Sequence, residues 1–391
     1  MNQLSAEEVR RLRLASLLLA GRAGGGAAEG GPAGIVRWFG AMQAQDLASG
    51  KWSLGLRLPG TTEGDIDAAI ERGELLRTWP MRGTMHFVPP RDARWMLRLM
   101  GARALDGAAA RRAYLGLSEA HANQAAEVLG AALAERGRMT RSDCVAVLDR
   151  AGIPTAGQNA YHLLWYASQV GVTCIGPNEG KEQTFVLLDR WAPEPLAPER
   201  DEALGIMARR YFQSHGPTTR QDFAGWMGMT AADARRGIEV AGADLATVAH
   251  DGRPLLLAAD LADSATAVLA AADPEAVQAL PGFDEFMLGF KDRSLVLDDI
   301  HKQRIIPGGN GVFQPTLVRD GRVVGTWRRV LKKGRVEVRP EPFSELSAAD
   351  RRATERAFAG FALYLGCRLD LSWERAGPAT TPRTPGRSRQ G

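Results

Sequence analysis

The chain has 391 residues, with 49 Lys and Arg against 45 Asp and Glu, a formal charge of +4. A composition of 45% hydrophobic and 24% charged residues excludes wholesale disorder, and the length predicts two or three domains. Three scattered cysteines, with no C-x-x-C, exclude a disulfide scaffold and a cysteine zinc cluster and predict a reducing, cytoplasmic setting. No apolar run approaches the roughly 18 residues of a membrane helix. Ser5-Ala-Glu-Glu8 is a capping box that opens an amphipathic first helix, and its two glutamates argue against a signal peptide. Gly21 to Gly31 reads as a flexible connection, followed by a helix from about Pro32 through Phe39. Beyond Met42-Gln-Ala-Gln-Asp46, the stretch Trp52 to Leu56 is read as a strand or a helix start. Thr62-Glu-Gly-Asp65 opens a third helix, and Leu75 to Trp79 and Thr84 to Val88 form extended runs around Pro80-Met-Arg-Gly83. Three helices closed by a β-ribbon outline a winged helix.

The next two segments repeat that logic. Thr140-Arg-Ser-Asp143 and Thr219-Arg-Gln-Asp222 share T-R-x-D behind Gly137 and Gly216, each with a threonine able to cap a helix. Ala125 to Leu133 and Ala203 to Phe212 predict helices upstream; Tyr161 to Val170 predicts one downstream of the first motif. Val172 to Leu188 then reads as a wing that turns at Pro177-Asn-Glu-Gly180, and Thr230-Ala-Ala-Asp233 opens a helix downstream of the second motif. The fold class is therefore α+β, with tandem winged helix-turn-helix units and a C-terminal antiparallel β-rich domain. Asp320-Gly321, Asn310-Gly311 and Lys333-Gly334 mark turns of a meander expected from Gln303 to Arg339. A helix over Ala348 to Tyr364 closes it, with an apolar tail to Trp373. The boundaries are residues 1–110, 111–195 and 196–252 for three winged-helix units, 253–376 for the β-rich domain, and 377–391 for a disordered tail.

No P-loop, H-E-x-x-H, G-x-S-x-G or EF-hand loop is present, and no two histidines have metal-ligand spacing. Neither a metal nor a cofactor is expected. His86, inside an extended run, is read as structural. Asp284 and Glu285 are adjacent and would face opposite ways on a strand, so they are read as a turn or a single functional group rather than an acid/base pair. Between Arg319 and Arg339, eight basic residues face only Asp320 and Glu337, a local charge of +6. Such a ribbon suits a phosphate backbone.

Gln43-Ala44-Gln45, behind a helix and inside a winged-helix outline, resembles the Q-Φ-Q signature of the AlkZ-type DNA glycosylases of the winged helix-turn-helix superfamily. Trp79-Pro-Met-Arg-Gly-Thr-Met-His-Phe-Val88 and Leu280-Pro-Gly-Phe-Asp-Glu-Phe-Met-Leu-Gly-Phe-Lys-Asp-Arg293 are similar to further stretches of that family, and the likeness spans about residues 6 to 373. A second branch carries Q-Φ-D; Gln45 places this chain with Q-Φ-Q, although Ala44 is a small residue for Φ. The resemblance implies tandem winged helices around a DNA channel, excision of N7-alkylated purines and, in some members, the unhooking of interstrand crosslinks made by alkylating antibiotics, a self-resistance role. It assigns catalysis to Gln43 and Gln45. DNA contacts are expected from Arg82, Arg319, Arg322, Arg328, Arg329, Lys332 and Lys333.

The chemistry is consistent with two amides. An N7-alkylguanine is already cationic and leaves without protonation, so the enzyme need only hold a water near C1′ and place carbonyl oxygens where positive charge develops. Residues two apart share a side only in extended chain, which requires the helix to end before Gln43. Asp46 would then face away from Gln45. No lysine lies closer than Lys51, so base excision without strand cleavage is expected. The partner is double-stranded DNA bearing alkylated purines, and a monomer is expected. A non-enzymatic winged-helix transcriptional regulator is the competing reading, weakened by a recognition helix over 231–242 that offers Arg235 and Arg236 but no Asn or Gln for adenine.

Overall fold

The computed structural model describes residues 2–20, 27–309 and 311–373. The glycine-rich connection lies largely outside these residues, as do Asn310 of one expected turn and the tail expected to be disordered.

One grammar is used three times: helix, short extended piece, helix, helix, ribbon. After α1 (Ala6–Ser16), the first use comprises α2 (Gly31–Phe39), β1 (Met42–Gln43), α3 (Leu47–Leu56), α4 (Glu63–Glu71), β2 (Leu76–Met81) and β3 (Thr84–Val88). Trp52 to Leu56 thus belongs to a helix. Next come α5 (Pro90–Met96), a π-helical turn over Leu97–Gly101, and α6 (Ala102–Tyr114). The second use is α7 (Glu119–Arg136), β4 (Arg138–Thr140), α8 (Arg141–Arg150), α9 (Asn159–Gln169), β5 (Thr173–Glu179) and β6 (Glu182–Leu187), followed by α10 (Leu188–Trp191). The third is α11 (Arg200–His215), a bridge from Thr218 to Leu256, α12 (Arg220–Met227), α13 (Ala231–Ala241), β7 (Leu245–His250) and β8 (Arg253–Ala258), followed by α14 (Ala259–Ala270). Both T-R-x-D motifs are capping boxes: Thr140 Oγ1 accepts the Asp143 N–H and Thr219 Oγ1 that of Asp222. The third ribbon turns at Asp251-Gly252, both at positive φ, and so spans position 252.

The ribbons of the first two units join. β2 pairs with β5 at Arg77 and Ile175, giving a six-stranded sheet in the order β1-β3-β2-β5-β6-β4. The C-terminal part holds β9 (Val277–Leu280), α15 (Glu285–Leu288), α16 (Lys302–Ile305), β10 (Thr316–Arg319), β11 (Arg322–Lys332), β12 (Arg335–Pro342), α17 (Ala348–Tyr364) and β13 (Arg368–Leu371). Its sheet runs β13-β12-β11-β10-β9, antiparallel except for the parallel β12–β13 pair. The meander therefore begins at Val277 and resumes at Thr316. The described residues of 303–309 and 311–315 lie outside it, and Pro307-Gly308-Gly309 turns the chain with Gly308 at φ 66°. Asp320 and Gly321 lie at φ 45° and 70°, the positive values that a two-residue hairpin turn requires.

Packing unites the ends of the sequence. Phe39, Met42, Ala44 and Trp52 from the first unit share one core with Trp327 on β11 and Phe358 and Phe361 on α17, and the indole N–H of Trp52 donates to the carbonyl of Ala279 at 2.9 Å. This core fixes the C-terminal sheet against α3. Among the described residues, no helix is long and apolar enough to cross a membrane.

Candidate active site

Met42 to Asp46 is the link between α2 and α3. β1 is the edge of the six-stranded sheet, with Met42 opposite Phe87 and Gln43 opposite His86. The Ala44 N–H donates to the Met85 carbonyl at 2.8 Å and carries the extended path one residue further. Helix resumes only after Asp46, whose carboxylate caps α3 by accepting the Ser49 N–H at 2.7 Å. Met42 and Ala44 point into the core, so Gln43 and Gln45 are turned away from it. Ala44 is small for a local reason. A Cβ at Gly50 of α3 would already lie 3.1 Å from both the Cα and the Cβ of Ala44, so α3 crosses tightly over this segment.

The two amides are not equivalent. Gln45 is exposed, and its Oε1 accepts the Met85 N–H at 3.1 Å. Gln43 is half-buried with its Oε1 covered and unpartnered, so no internal hydrogen bond of that oxygen opposes its turning towards a substrate.

Beneath Gln43 lies a buried carboxylate. Glu285 Oε1 accepts the Gln43 N–H at 3.2 Å, and its Oε2 accepts the Trp226 indole N–H at 2.9 Å and lies 3.3 Å from His215 Nε2. Burial alone would raise the pKa of Glu285. The His215 hydrogen bond and charge, with the fields of Arg82 and His86, outweigh it and hold the carboxyl down to about 2. The adjacent Asp284 takes the other direction. Its carboxylate caps α15 and binds the buried Arg57 guanidinium through two contacts, at 2.8 and 2.9 Å, with the Ser53 hydroxyl at 2.6 Å. Phe283, just before the two acidic residues, lies at φ 62°.

His86 lies across from Gln43 and is fully buried. Its Nδ1 is 2.8 Å from the Thr84 carbonyl, which can only accept, and its Nε2 is 3.2 Å from Arg82 Nη2, which can only donate. The ring is therefore neutral with the proton on Nδ1. Burial, and then the charge of Arg82, push its pKa down to about 3. Arg82 itself is exposed at the tip of the β2–β3 turn, at φ 54°, and reaches back to His86. Sequence reasoning missed the surroundings of Gln43. Glu285, His215 and Trp226 come from three separate elements, and only Glu285 stood in a motif that the sequence singled out.

The basic ribbon is less free than its local charge implies. Arg319 pairs with Asp350 at 2.6 Å, Arg322 with Asp298 at 2.6 Å, Arg328 with Glu341 at 2.9 Å, and Lys332 with Glu337 at 2.6 Å. Asp298, Glu341 and Asp350 lie outside the counted stretch. Arg329 is half-buried, with its guanidinium 5.4 Å from the Phe361 ring centre. Burial lowers its pKa, opposed by the charges of Asp46 and Glu63. Lys333 is exposed at the hairpin end. Among the described residues, no three His, Cys, Asp or Glu side chains converge to hold a metal.

Residues 36–364 match the family described as DNA glycosylase AlkZ-like. The chain is 26% identical over 341 residues to the interstrand DNA cross-link repair glycosylase of Streptomyces sahachiroi, covering 83% of this chain and 88% of that relative. The solved structure of the Streptomyces sahachiroi DNA glycosylase AlkZ superposes with a TM-score of 0.75 at 25% identity, over 96% of this chain and 100% of that one. A match over most of the chain, with the same fold, shows that it belongs to the AlkZ-like DNA glycosylase family.

Proposed function

We propose that this DNA glycosylase excises N7-alkylated purines from double-stranded DNA, including bulky or interstrand-crosslinked guanine adducts. In this reading it acts as a monomer in the cytoplasm, with Gln43 and Gln45 as its catalytic amides. The observation that carries the reading is the extended segment itself: two amides turned from the core, one exposed and one with a free carbonyl oxygen, above a buried carboxylate that stays ionised. Glu285 fixes Gln43 through its N–H and adds a negative field in a region of low dielectric, where the departing cationic base leaves positive charge on the sugar. The Gln43 carbonyl oxygen would accept a hydrogen bond from the attacking water, whose proton passes to solvent as the C1′–O bond forms, and the Gln45 amide, held at Met85, would steer that water. Lys51 is tied to Glu63 at 2.7 Å and to Asp67 at 3.0 Å, which supports base release without Schiff-base strand cleavage. Gln45 stands at the surface, so an adduct too bulky for a closed pocket still reaches it.

The test is release of 7-methylguanine from methylated duplex DNA by wild type, Gln43→Ala and Gln45→Ala, with binding measured in parallel. Release that collapses in both variants while binding persists is the expected result. Release that survives both substitutions would remove the two amides from the mechanism. If wild type leaves 7-methylguanine in place, the same assay on a crosslinked duplex decides whether the substrate is restricted to bulkier adducts.

A further inference from the structure

Among the described residues, Arg77 has no partner. It lies on β2 opposite Phe87 on one side and Ile175 on the other, and only 7% of its surface is exposed. Among the described residues, its guanidinium makes no hydrogen bond, ion pair or ring contact, and its Nε is buried and unsatisfied. The chain's other deeply buried arginines differ. Arg57 is held by Asp284, and Arg13 donates to the Pro217 carbonyl at 2.9 Å over the Phe290 ring. Burying an arginine without a counter-ion costs the desolvation of its charge with no Coulombic return. Burial also draws its pKa down to about 10, so it is still charged at neutral pH.

The side chain lines a cavity of about 300 Å³ between the first unit's helices and the second unit's ribbon. Leu47 and Lys51 of α3, Phe87, and the turn around Gly176 and Asn178 form much of the wall. Two carboxylates also border it, and both are already engaged: Asp67 by Lys51 at 3.0 Å and Glu71 by Arg138 at 2.5 Å. Lys51, the other cation on this wall, is held by Asp67 and Glu63, so among the described residues Arg77 is the lining cation without a partner. Leu47, on the rim, is two residues from Gln45, so the cavity shares the first turn of α3 with the candidate active site.

We propose that Arg77 anchors a phosphate site in which the seam between the two joined ribbons holds one backbone phosphate of the DNA beside the candidate active site. A guanidinium fork is the side chain best matched to phosphate oxygens, and a partly enclosed cavity strengthens the contact. The proposal rests on the reading that this chain binds DNA, and it adds to that reading a specific gripping point away from the β11–β12 ribbon.

The full-length protein is titrated onto an undamaged duplex from 50 to 300 mM salt, as wild type and as Arg77→Met, with thermal unfolding recorded without DNA. Removing one phosphate contact lowers the slope of log K against log salt by about one and weakens binding about eightfold at 0.1 M salt. The unfolding midpoint of Arg77→Met stays level or rises, because an unpaired buried charge is removed. A midpoint that falls with slope and affinity unchanged would make Arg77 an internal structural residue and overturn the proposal. Stabilisation of wild type by inorganic phosphate, with equal DNA slopes in both proteins, would assign the cavity to free phosphate and overturn the DNA source. Arg77→Gln repeats the comparison if Arg77→Met does not fold. Base release is measured separately: its loss with the slope difference intact would sink the glycosylase chemistry and leave the phosphate site standing.

Discussion

Acidification should act on this protein through His86, and its size can be worked out. The ring is fully buried, donates to Thr84, accepts from Arg82, and titrates at about 3 in the folded chain. In the unfolded chain it titrates at about 6.5. Between these values the unfolded state binds the additional proton, so stability rises with pH and is lost as pH falls from about 6.5 towards 3. From pH 7 to pH 5 the loss from this one residue is about 2 kcal/mol, since the unfolded imidazole becomes almost wholly protonated and the folded one does not. Glu285 has the same sign in a lower window: its folded pKa of about 2 lies below the usual carboxylate value, so its contribution is complete above about 4.5 and fades below it. The range from pH 7 to 5 therefore isolates His86 from Glu285. Urea unfolding, followed by tryptophan fluorescence at both pH values, compares wild type with His86→Gln, which keeps an acceptor for Arg82. The variant should lose about 2 kcal/mol less than wild type on acidification, whatever its own starting stability. Equal losses would show that His86 takes up its proton in the folded state, and the buried neutral ring described above would be refuted.

Three further outcomes follow from the packing. Glu285→Gln turns an amide NH₂ towards one of the N–H donors it now serves, so unfolding free energy should fall by about 3 kcal/mol and base release at least tenfold; unchanged urea midpoints would remove Glu285 from beneath Gln43. Gly50→Val presses on Ala44 and on Phe87, each 3.1 Å from the added Cβ, costing about 1–3 kcal/mol and reducing the single-turnover rate more than DNA affinity; equal effects on the two would show that the segment does not shift. Arg329→Ala should lower stability by about 1 kcal/mol through its lost contact with Phe361, whereas Lys333→Ala leaves the melting temperature unchanged and reduces the salt slope of DNA binding by about one; the reverse pattern would exchange their roles.

What the sequence made legible was what neighbouring residues decide. A cap needs only three residues of context, so Ser5–Glu8, Thr140–Asp143 and Thr219–Asp222 marked helix starts that the structure contains. Asp320-Gly321 turned where positive φ was required, and α17 runs over Ala348–Tyr364 as expected. The meander's first strand was misplaced because Val277–Leu280 is short and its partner β10 begins 36 positions downstream of its end, beyond any hairpin signal. The charge of the basic ribbon was overestimated for a related reason: Asp298 and Asp350 reach it from other elements, and no count along one strand includes them.

The same limit separates the two halves of the candidate site. That Gln43 and Gln45 leave the helix and turn from the core is a matter of alternation over four residues, and Met42 and Ala44 carry that pattern openly. That Gln43 stands over a charge is not. Glu285 lies 242 positions away, and the choice between a surface carboxylate and a buried one is made by His215 and Trp226, whose positions depend on how α11 and α12 pack. Arg77 makes the point in reverse. Its neighbours in sequence, Leu76 and Thr78, describe an ordinary buried strand, and only the three-dimensional inventory reveals an uncompensated charge. Buried charges are costly unless paired, so an unpaired one beside an open cavity points to a missing counter-ion more directly than a cluster of exposed lysines does. For a protein whose substrate is a polyanion, the search for contacts is better guided by which cations lack a partner than by where cations are most numerous.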